Sequence, residues 1–383
     1  MPDKEPAILQ VIPQLDAGGA ERTTVEIAAA LSQAGYTALV ASQGGRMEGE
    51  LKAAGGELIR MKMASKSPLK ILSNAMTLKS LIAARDIKLI HARSRAPAWS
   101  ALMAARMTHI PFVTTYHGIY NSENSLKHFY NSVMMRGDAV IANSQWTADH
   151  VLREHRELAG HVHVIPRGVD LSRFDPGGIA PDAIAAQRTQ WGAGDGDLVI
   201  LLPGRMTRWK GQLLFLDALA QLRREGLTDH VRAVLIGDAQ GRHDYVVELR
   251  RAIVRNRLEK TAIIADHVSD MATAYLAADV VVSASTEPEA FGRVAAEAAA
   301  MGRPVVATDH GGARETVLNG ASGLLVRPNN ADALADGLAK MIRLPPDSRA
   351  DMGRAGRAHV ARTFTLDRMT GDTLALYRSL TGT

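Results

Sequence analysis

The fold class predicted is α/β, two doubly wound parallel sheets in two domains, and three observations carry it. Short β-branched runs alternate with longer segments of helical apolar period along the chain, as βα units winding a parallel sheet do. At 383 residues the chain exceeds the size at which one core usually stops growing. A stretch over residues 165–197, rich in Pro, Gly and Ala and without sheet pattern, divides the strands into two series.

In the first series strands are expected at residues 7–13, 37–42, 57–61, 87–91, 112–116, 138–142 and 163–165, each followed by a helical pattern. The second series comprises 198–202, 231–236, 262–264, 280–283, 304–308 and 323–326. Between them Ile165-Pro166-Arg167-Gly168-Val169-Asp170 reads as the interdomain connection. The tail, 345–383, is helical in pattern, with Leu366, Met369, Leu374, Leu376, Tyr377 and Leu380 available for packing. The expected division is a domain at 1–170, a second at 171–363, and a last helix at 364–383 available to cross back to the first.

Composition narrows the function. A 46% apolar fraction and 33 scattered glycines exclude disorder and collagen-like repetition. With no cysteine, disulfide scaffolds, thiolate metal sites and cysteine nucleophiles are excluded, and a reducing compartment is permitted. No run approaches the ~20 apolar residues of a membrane span, and Met1-Pro2-Asp3-Lys4-Glu5 lacks the order of a signal peptide, so a soluble, cytoplasmic protein is expected. The 45 basic and 40 acidic residues give a net charge of +5. With aromatics at 4% and no stacking motif, nucleic acid is not an expected partner.

Doubly wound sheets bind ligands at the carboxyl ends of their strands. Two common phosphate motifs fail there: Gly18-Gly19 is not G-x-G-x-x-G, and Gly204 with Lys210-Gly211 is not G-x-x-x-x-G-K-[ST]. Asp195-Gly196-Asp197 matches a D-x-D metal motif but precedes a strand, where Asp-Gly is ordinary turn chemistry, and no metal ligands are assigned. The most informative segment runs Ser285-Thr286-Glu287-Pro288-Glu289-Ala290-Phe291-Gly292-Arg293-Val294-Ala295-Ala296-Glu297. A strand ends near Ser283, a loop carries Glu289, and an Ala-rich helix with Glu297 leads to the next strand; were the stretch fully helical, the two carboxylates would lie about 12 Å apart along the axis and roughly 80° around it. Two ionised carboxylates at that spacing suit paired hydroxyls at the two ends of one elongated ligand, and the helix start near Phe291 and Gly292 suits phosphate. The alternative is a solvated Glu297 on a good helix former.

On these residues the chain resembles the family 4 retaining glycosyltransferases of the GT-B fold, marked by E-x(7)-E and followed here by Gly302-x-Pro304-Val305. The resemblance extends through Gly18-Gly19, Tyr116-His117-Gly118, Ile165-Pro166-x-Gly168-Val169-Asp170, Gly204-Arg205, Lys210-Gly211, Ile236-Gly237-Asp238 and Gly311-Gly312 with Glu315. It implies two Rossmann-like domains facing a central cleft, the first holding the acceptor and the second a nucleoside diphosphate sugar. The connection at residues 166–170 is then the hinge of a closure around the donor.

The resemblance also implies roles. Arg205 and Lys210 bind the donor diphosphate; solvated loop cations are the alternative. Glu289 and Glu297 face the donor, and Phe291-Gly292 meets the sugar through backbone more than ring. Gly18 and Gly19 let the backbone approach sugar or phosphate, or simply make a tight turn. His117 offers a hydrogen bond to a sugar hydroxyl and its carbonyl to the charged transition state, against a purely structural strand-end histidine. Catalysis is assigned to His117, Arg205, Lys210 and Glu289, by front-side transfer with retention and no cofactor or metal. Arg167 stands where a related Asn is common, and Glu287 lacks the interval to Glu297.

From Arg60 to Arg95 nine basic residues face one acid, Asp86, a local charge of +8. Lys62, Lys66 and Lys70 suit a lipid-linked or phosphorylated glycan, or the anionic inner face of the cytoplasmic membrane; a solvated helix face is the alternative. Residues 288–294 and 309–316 look most like bacterial lipopolysaccharide-core or surface-glycan transferases. The rivals are a nucleotide-sugar epimerase or hydrolase on the same fold and a non-catalytic glycan-binding scaffold.

Overall fold

The computed structural model describes residues 6–16, 18–118, 124–265 and 268–382. The chain forms two compact units, Met1–Gly168 with Leu366–Thr383, and Val169–Thr365.

The first unit contains β1 (Ala7–Val11), β2 (Thr37–Ser42), β3 (Glu57–Arg60), β4 (Ile87–Ala92), β5 (Phe112–Tyr116), β6 (Ala139–Ala142) and β7 (Val162–Val164). They pair parallel in the order β3-β2-β1-β4-β5-β6-β7. The second contains β8 (Leu198–Pro203), β9 (Val231–Ile236), β10 (Ala262–Ala265), β11 (Val280–Ser283), β12 (Val305–Thr308) and β13 (Gly323–Val326). These are parallel too, in the order β10-β9-β8-β11-β12-β13.

Each sheet is covered on both faces, which is why its central strands are mostly apolar runs rather than alternating ones, with a few buried polar residues such as Gln10 and His91. Ile200 and Leu202 of β8 enter one core while Val199 and Leu201 enter the other. In β1, Leu9 and Val11 point one way and Ile8 the other. Among the described residues no helix is long and apolar enough to cross a membrane.

Residues 171–197 do not form a loose connection. They fold onto the second unit through helix Pro181–Gln190, with Phe174 and Trp191 buried in its core. The chain enters and leaves that unit side by side, because Val169 pairs with Thr365 and its N–H donates to the Phe364 carbonyl at 2.8 Å. Helix Pro346–Thr363 belongs to the second unit, whereas helix Leu366–Thr381 sends Met369, Leu374, Leu376 and Tyr377 into the core of the first.

That last helix is also held by a buried polar contact. His91, fully buried on β4, is hydrogen-bonded through Nδ1 to the Tyr377 hydroxyl at 2.5 Å and through Nε2 to the Thr115 hydroxyl at 2.7 Å. Burial, then Arg93 and His117, push its pKa well below the usual histidine value and keep the ring neutral. Tyr377→Phe leaves one ring nitrogen without a partner, at a cost of about 1–3 kcal/mol. The expected result is a lower urea midpoint at unchanged m value; an unchanged midpoint would show that the hydroxyl contributes nothing.

Candidate functional site

In an open parallel sheet the connections leave in opposite directions from the two strands where the order reverses, and ligands bind outside the carboxyl ends of that pair. The order reverses between β8 and β11 in the second unit and between β1 and β4 in the first.

In the second unit, β8 runs into Gly204, the exposed Arg205 and a short turn, Arg208–Lys210, before helix Gln212–Arg224. Gly211 joins turn to helix at φ +75°, and a Cβ there would lie 1.8 Å from the Ala284 carbonyl oxygen beyond β11. Only glycine permits both that backbone angle and that approach. The two loops are then tied together, with Thr286 N–H donating to the Trp209 carbonyl at 2.7 Å. Lys210 Nζ reaches Glu289 Oε1 at 2.8 Å and lies 4.4 Å from the centre of the Trp209 ring, over which Arg205 also sits at 5.9 Å.

Glu289 accepts a second, short hydrogen bond from the Ser285 hydroxyl. Burial pushes its carboxyl up, but Lys210, Ser285 and His310 outweigh that and hold its pKa below the usual carboxylate range. Glu289 is therefore ionised at neutral pH. Its backbone is cradled from the loop after β12, where Gly312 N–H donates to the Glu289 carbonyl at 2.7 Å, and a Cβ on Gly311 would lie 2.3 Å from that same oxygen.

As expected, a loop carries Glu289 and a helix carries Glu297, so the spacing of a continuous helix does not apply. Gly292, at φ +80°, stands before a helix that begins only at Arg293 and spans Arg293–Ala300, so Glu289 lies on the loop and Glu297 on the helix. Glu297 is not solvated either, its side chain being 13% exposed. One carboxylate oxygen accepts from the Tyr275 hydroxyl at 3.0 Å and the other from Arg293 Nη2 at 2.9 Å. The Phe291 ring is core, packed edge-on against Phe364 with centroids 5.4 Å apart, which leaves only backbone for a ligand. Glu287 is exposed. Asp197 accepts from Gly194 N–H at 2.7 Å within a turn.

In the first unit a pocket of about 280 Å³ lies at the β1/β4 reversal, lined among others by Gln14, Glu21, Arg93, Arg95 and His117. Arg93 is 3% exposed and donates from Nε and Nη2 to the neutral Gln10 amide oxygen, at 2.9 and 2.6 Å. Gly18 and Gly19 open helix Gly19–Gln33, and the Arg167 guanidinium occupies the space that a Cβ on Gly19 would take, 2.0 Å away. Arg167 Nη2 donates to His117 Nδ1 at 3.0 Å. His117 Nε2 is shut off from solvent and has no hydrogen-bond partner among the described residues. Lys62 and Lys66 are exposed and Lys70 is half-buried.

Sequence reasoning thus missed the partners: Ser285, Tyr275, Arg293, Trp209, Arg93 and the Arg167–His117 contact. Arg293 alone carried a signal, four residues before Glu297 on one helix.

Two family models match the chain, "Glycosyltransferase Family 4" over residues 17–173 and "Glycosyl transferases group 1" over residues 183–359. A D-inositol 3-phosphate glycosyltransferase of Xylanimonas cellulosilytica is 34% identical over 253 residues, covering 65% of this chain and 58% of that protein, so the match spans little more than half the relative's length. The crystal structure of a glycosyltransferase from Rickettsia africae superposes with a TM-score of 0.90 at 36% identity, covering 98% of both chains. That of Anabaena HepE in complex with UDP-glucose gives 0.83 at 27% identity, covering 98% of this chain and 100% of that one.

Because a guanidinium can only donate, the Arg167 contact leaves His117 Nδ1 as acceptor and the proton of the neutral ring on Nε2. Burial first, then the charges of Arg167 and Arg93, hold the His117 pKa well below 6.5. Nitrogen-15 NMR should find the Nε2–H tautomer, still neutral at pH 6.5, and Arg167→Asn should move the titration upward. A proton found on Nδ1 would contradict the contact.

Proposed function

Because the chain belongs to the family 4, group 1 glycosyltransferases of the GT-B fold, we propose that it transfers a sugar from a nucleoside diphosphate sugar to a glycan or lipid-linked acceptor. The transfer retains the anomeric configuration, needs no metal ion, and serves lipopolysaccharide or other surface-polysaccharide assembly. The observation that carries this reading is the ionised, cradled Glu289 paired with Lys210 at the β8/β11 reversal. A carboxylate that accepts from sugar hydroxyls and a cation that meets phosphate are held together where such sheets take their ligands.

In the transfer, the bond between the anomeric carbon and the diphosphate oxygen breaks while a bond to the acceptor hydroxyl oxygen forms. The acceptor proton passes to the leaving phosphate on the same face. Negative charge grows on the diphosphate, where Arg205 and Lys210 supply cations in a partly desolvated site. Glu289 orients the sugar through its hydroxyls, with the Phe291-Gly292 backbone beside it. Glu297, fixed by Tyr275 and Arg293, keeps lone pairs for the ribose diol. His117 Nε2–H binds a sugar hydroxyl, and its carbonyl faces the positive charge developing at the anomeric carbon. Gly18 and Gly19 admit the ligand to the first unit's loop.

The surface-glycan role is supported by the likeness of residues 288–294 and 309–316 to bacterial core transferases. The inositol phosphate relative supports an anionic acceptor, and the UDP-glucose complex of HepE supports UDP as the first nucleotide to test.

Calorimetric titration with UDP, GDP, ADP and CDP, with and without magnesium, tests the donor site. One nucleotide should bind tightly and equally in both conditions, and Glu297→Ala should weaken it about tenfold or more, the worth of charged hydrogen bonds lost. Binding of none of the four would sink the reading, and dependence on magnesium would sink its metal-free part. Proton NMR of the product reports the anomer, and inversion would overturn retention.

A further inference from the structure

We propose that the first unit carries a docking face for an anionic lipid bilayer, formed by helix Pro68–Arg85 and helix Ser125–Asn131. The inference deepens the proposed function, on which it rests only for the identity of the acceptor, by assigning the basic stretch to the membrane rather than to a soluble glycan.

Large apolar side chains scattered singly over a surface are ordinary, whereas a contiguous group marks an interaction site. Five of the most exposed apolar side chains lie on these two helices: Leu69 (81%), Leu126 (79%), Phe129 (55%), Leu72 (48%) and Met76 (47%). Leu69, Leu72 and Met76 follow helical spacing opposite the buried Asn74, Ala75, Leu78 and Ile82, so they form one outward stripe. The two helices are neighbours. Lys66, just before the first, lies 5.9 Å from the centre of the Tyr130 ring on the second. Trp99, on helix Arg95–Thr108, stacks on Phe129 at 5.1 Å and donates from its indole nitrogen to the Tyr130 carbonyl at 3.1 Å.

The charge on the two helices themselves is of one sign. Neither helix contains an acidic residue; Lys70, Lys79 and Lys127 lie on them, Lys62 and Lys66 shortly before the first, and the Arg136 guanidinium sits 5.4 Å from the centre of the Phe129 ring. A soluble glycan gains nothing from a leucine that projects into solvent. A second copy of this chain, meeting the face by twofold symmetry, would bring like charges together. A bilayer with anionic headgroups satisfies both features, since the leucines enter the interface and the lysines meet the phosphates. The face also adjoins the pocket at the β1/β4 reversal, because pocket-lining Arg95 donates to Asn131, the last residue of the second helix, at 2.7 Å. A lipid-linked acceptor would reach that pocket without leaving the membrane.

The test is flotation of the full chain with phosphatidylcholine vesicles and with vesicles that also contain phosphatidylglycerol. It needs neither donor nor turnover, so it can fail while sugar transfer succeeds, and the reverse. The chain should float with the anionic vesicles alone, and a rise from low to high salt should weaken partition about tenfold. Leu69→Gln with Leu126→Gln, and separately Lys66→Gln with Lys70→Gln, should each weaken it by about as much. Unchanged melting temperatures check that the variants are folded, and the lipid and salt dependence of the unaltered chain decides the matter if they are not. Equal flotation with neutral vesicles, or none with either, overturns the proposal. So does a dimer in light scattering that the leucine pair abolishes, since the face would then lie between copies.

Discussion

The strand-order reversal is the constraint on which the rest of this structure depends. Parallel strands need long right-handed crossovers, and where their direction reverses the loops beyond the strand ends part and leave backbone unpaired. Between β8 and β11 this gap is narrowed by one residue without a side chain, Gly211, whose place against the Ala284 carbonyl admits no Cβ. The Thr286–Trp209 backbone bond and the Lys210–Glu289 pair lie in the space so drawn together. Without that approach a lysine after one strand and a glutamate after another would be two unrelated loop residues.

The electrostatics follow from the partial burial. Lys210 and Glu289 have side chains only 12% and 16% exposed, so both lose solvation that their contact alone does not fully return. The added hydrogen bond from Ser285 and the Trp209 ring beneath the ammonium complete the balance. Such a pair contributes less to stability than to position: it fixes an ionised carboxylate and a cation at one strand end, where an anionic ligand can share the cation. The first unit uses charge differently. Arg93 is buried against a neutral amide, and Arg167 settles which nitrogen of His117 carries the proton.

Much of the fold was legible because its strands are buried on both faces and so appear as apolar runs, with helical periods between them. Residues 171–197 were not, since helix Pro181–Gln190 has no fully buried residue and therefore no apolar stripe to reveal it. Phe174 and Trp191, on either side of that helix, anchor the segment, and isolated aromatics carry no period. The loop with Glu289 and the Ala-rich helix with Glu297 were legible, and the left-handed backbone of Gly292 is what divides them. At the site the motif residues could be named from spacing, yet Tyr275 and Ser285 could not be paired with the glutamates they serve.

By itself the sequence determined the two parallel sheets, the glycines that strand ends require and the chemical types of the site residues, because burial, backbone angle and ionisation are properties that residue types and their order largely set. Tertiary structure alone decided that Lys210 neutralises Glu289, that Tyr275 holds Glu297, and that lysines and exposed leucines share two adjacent helices. Each of these depends on a distance between segments remote in the chain or on which side of a helix faces water. Distances of that kind are set when helices pack on a twisted sheet, and no local pattern of residues encodes them.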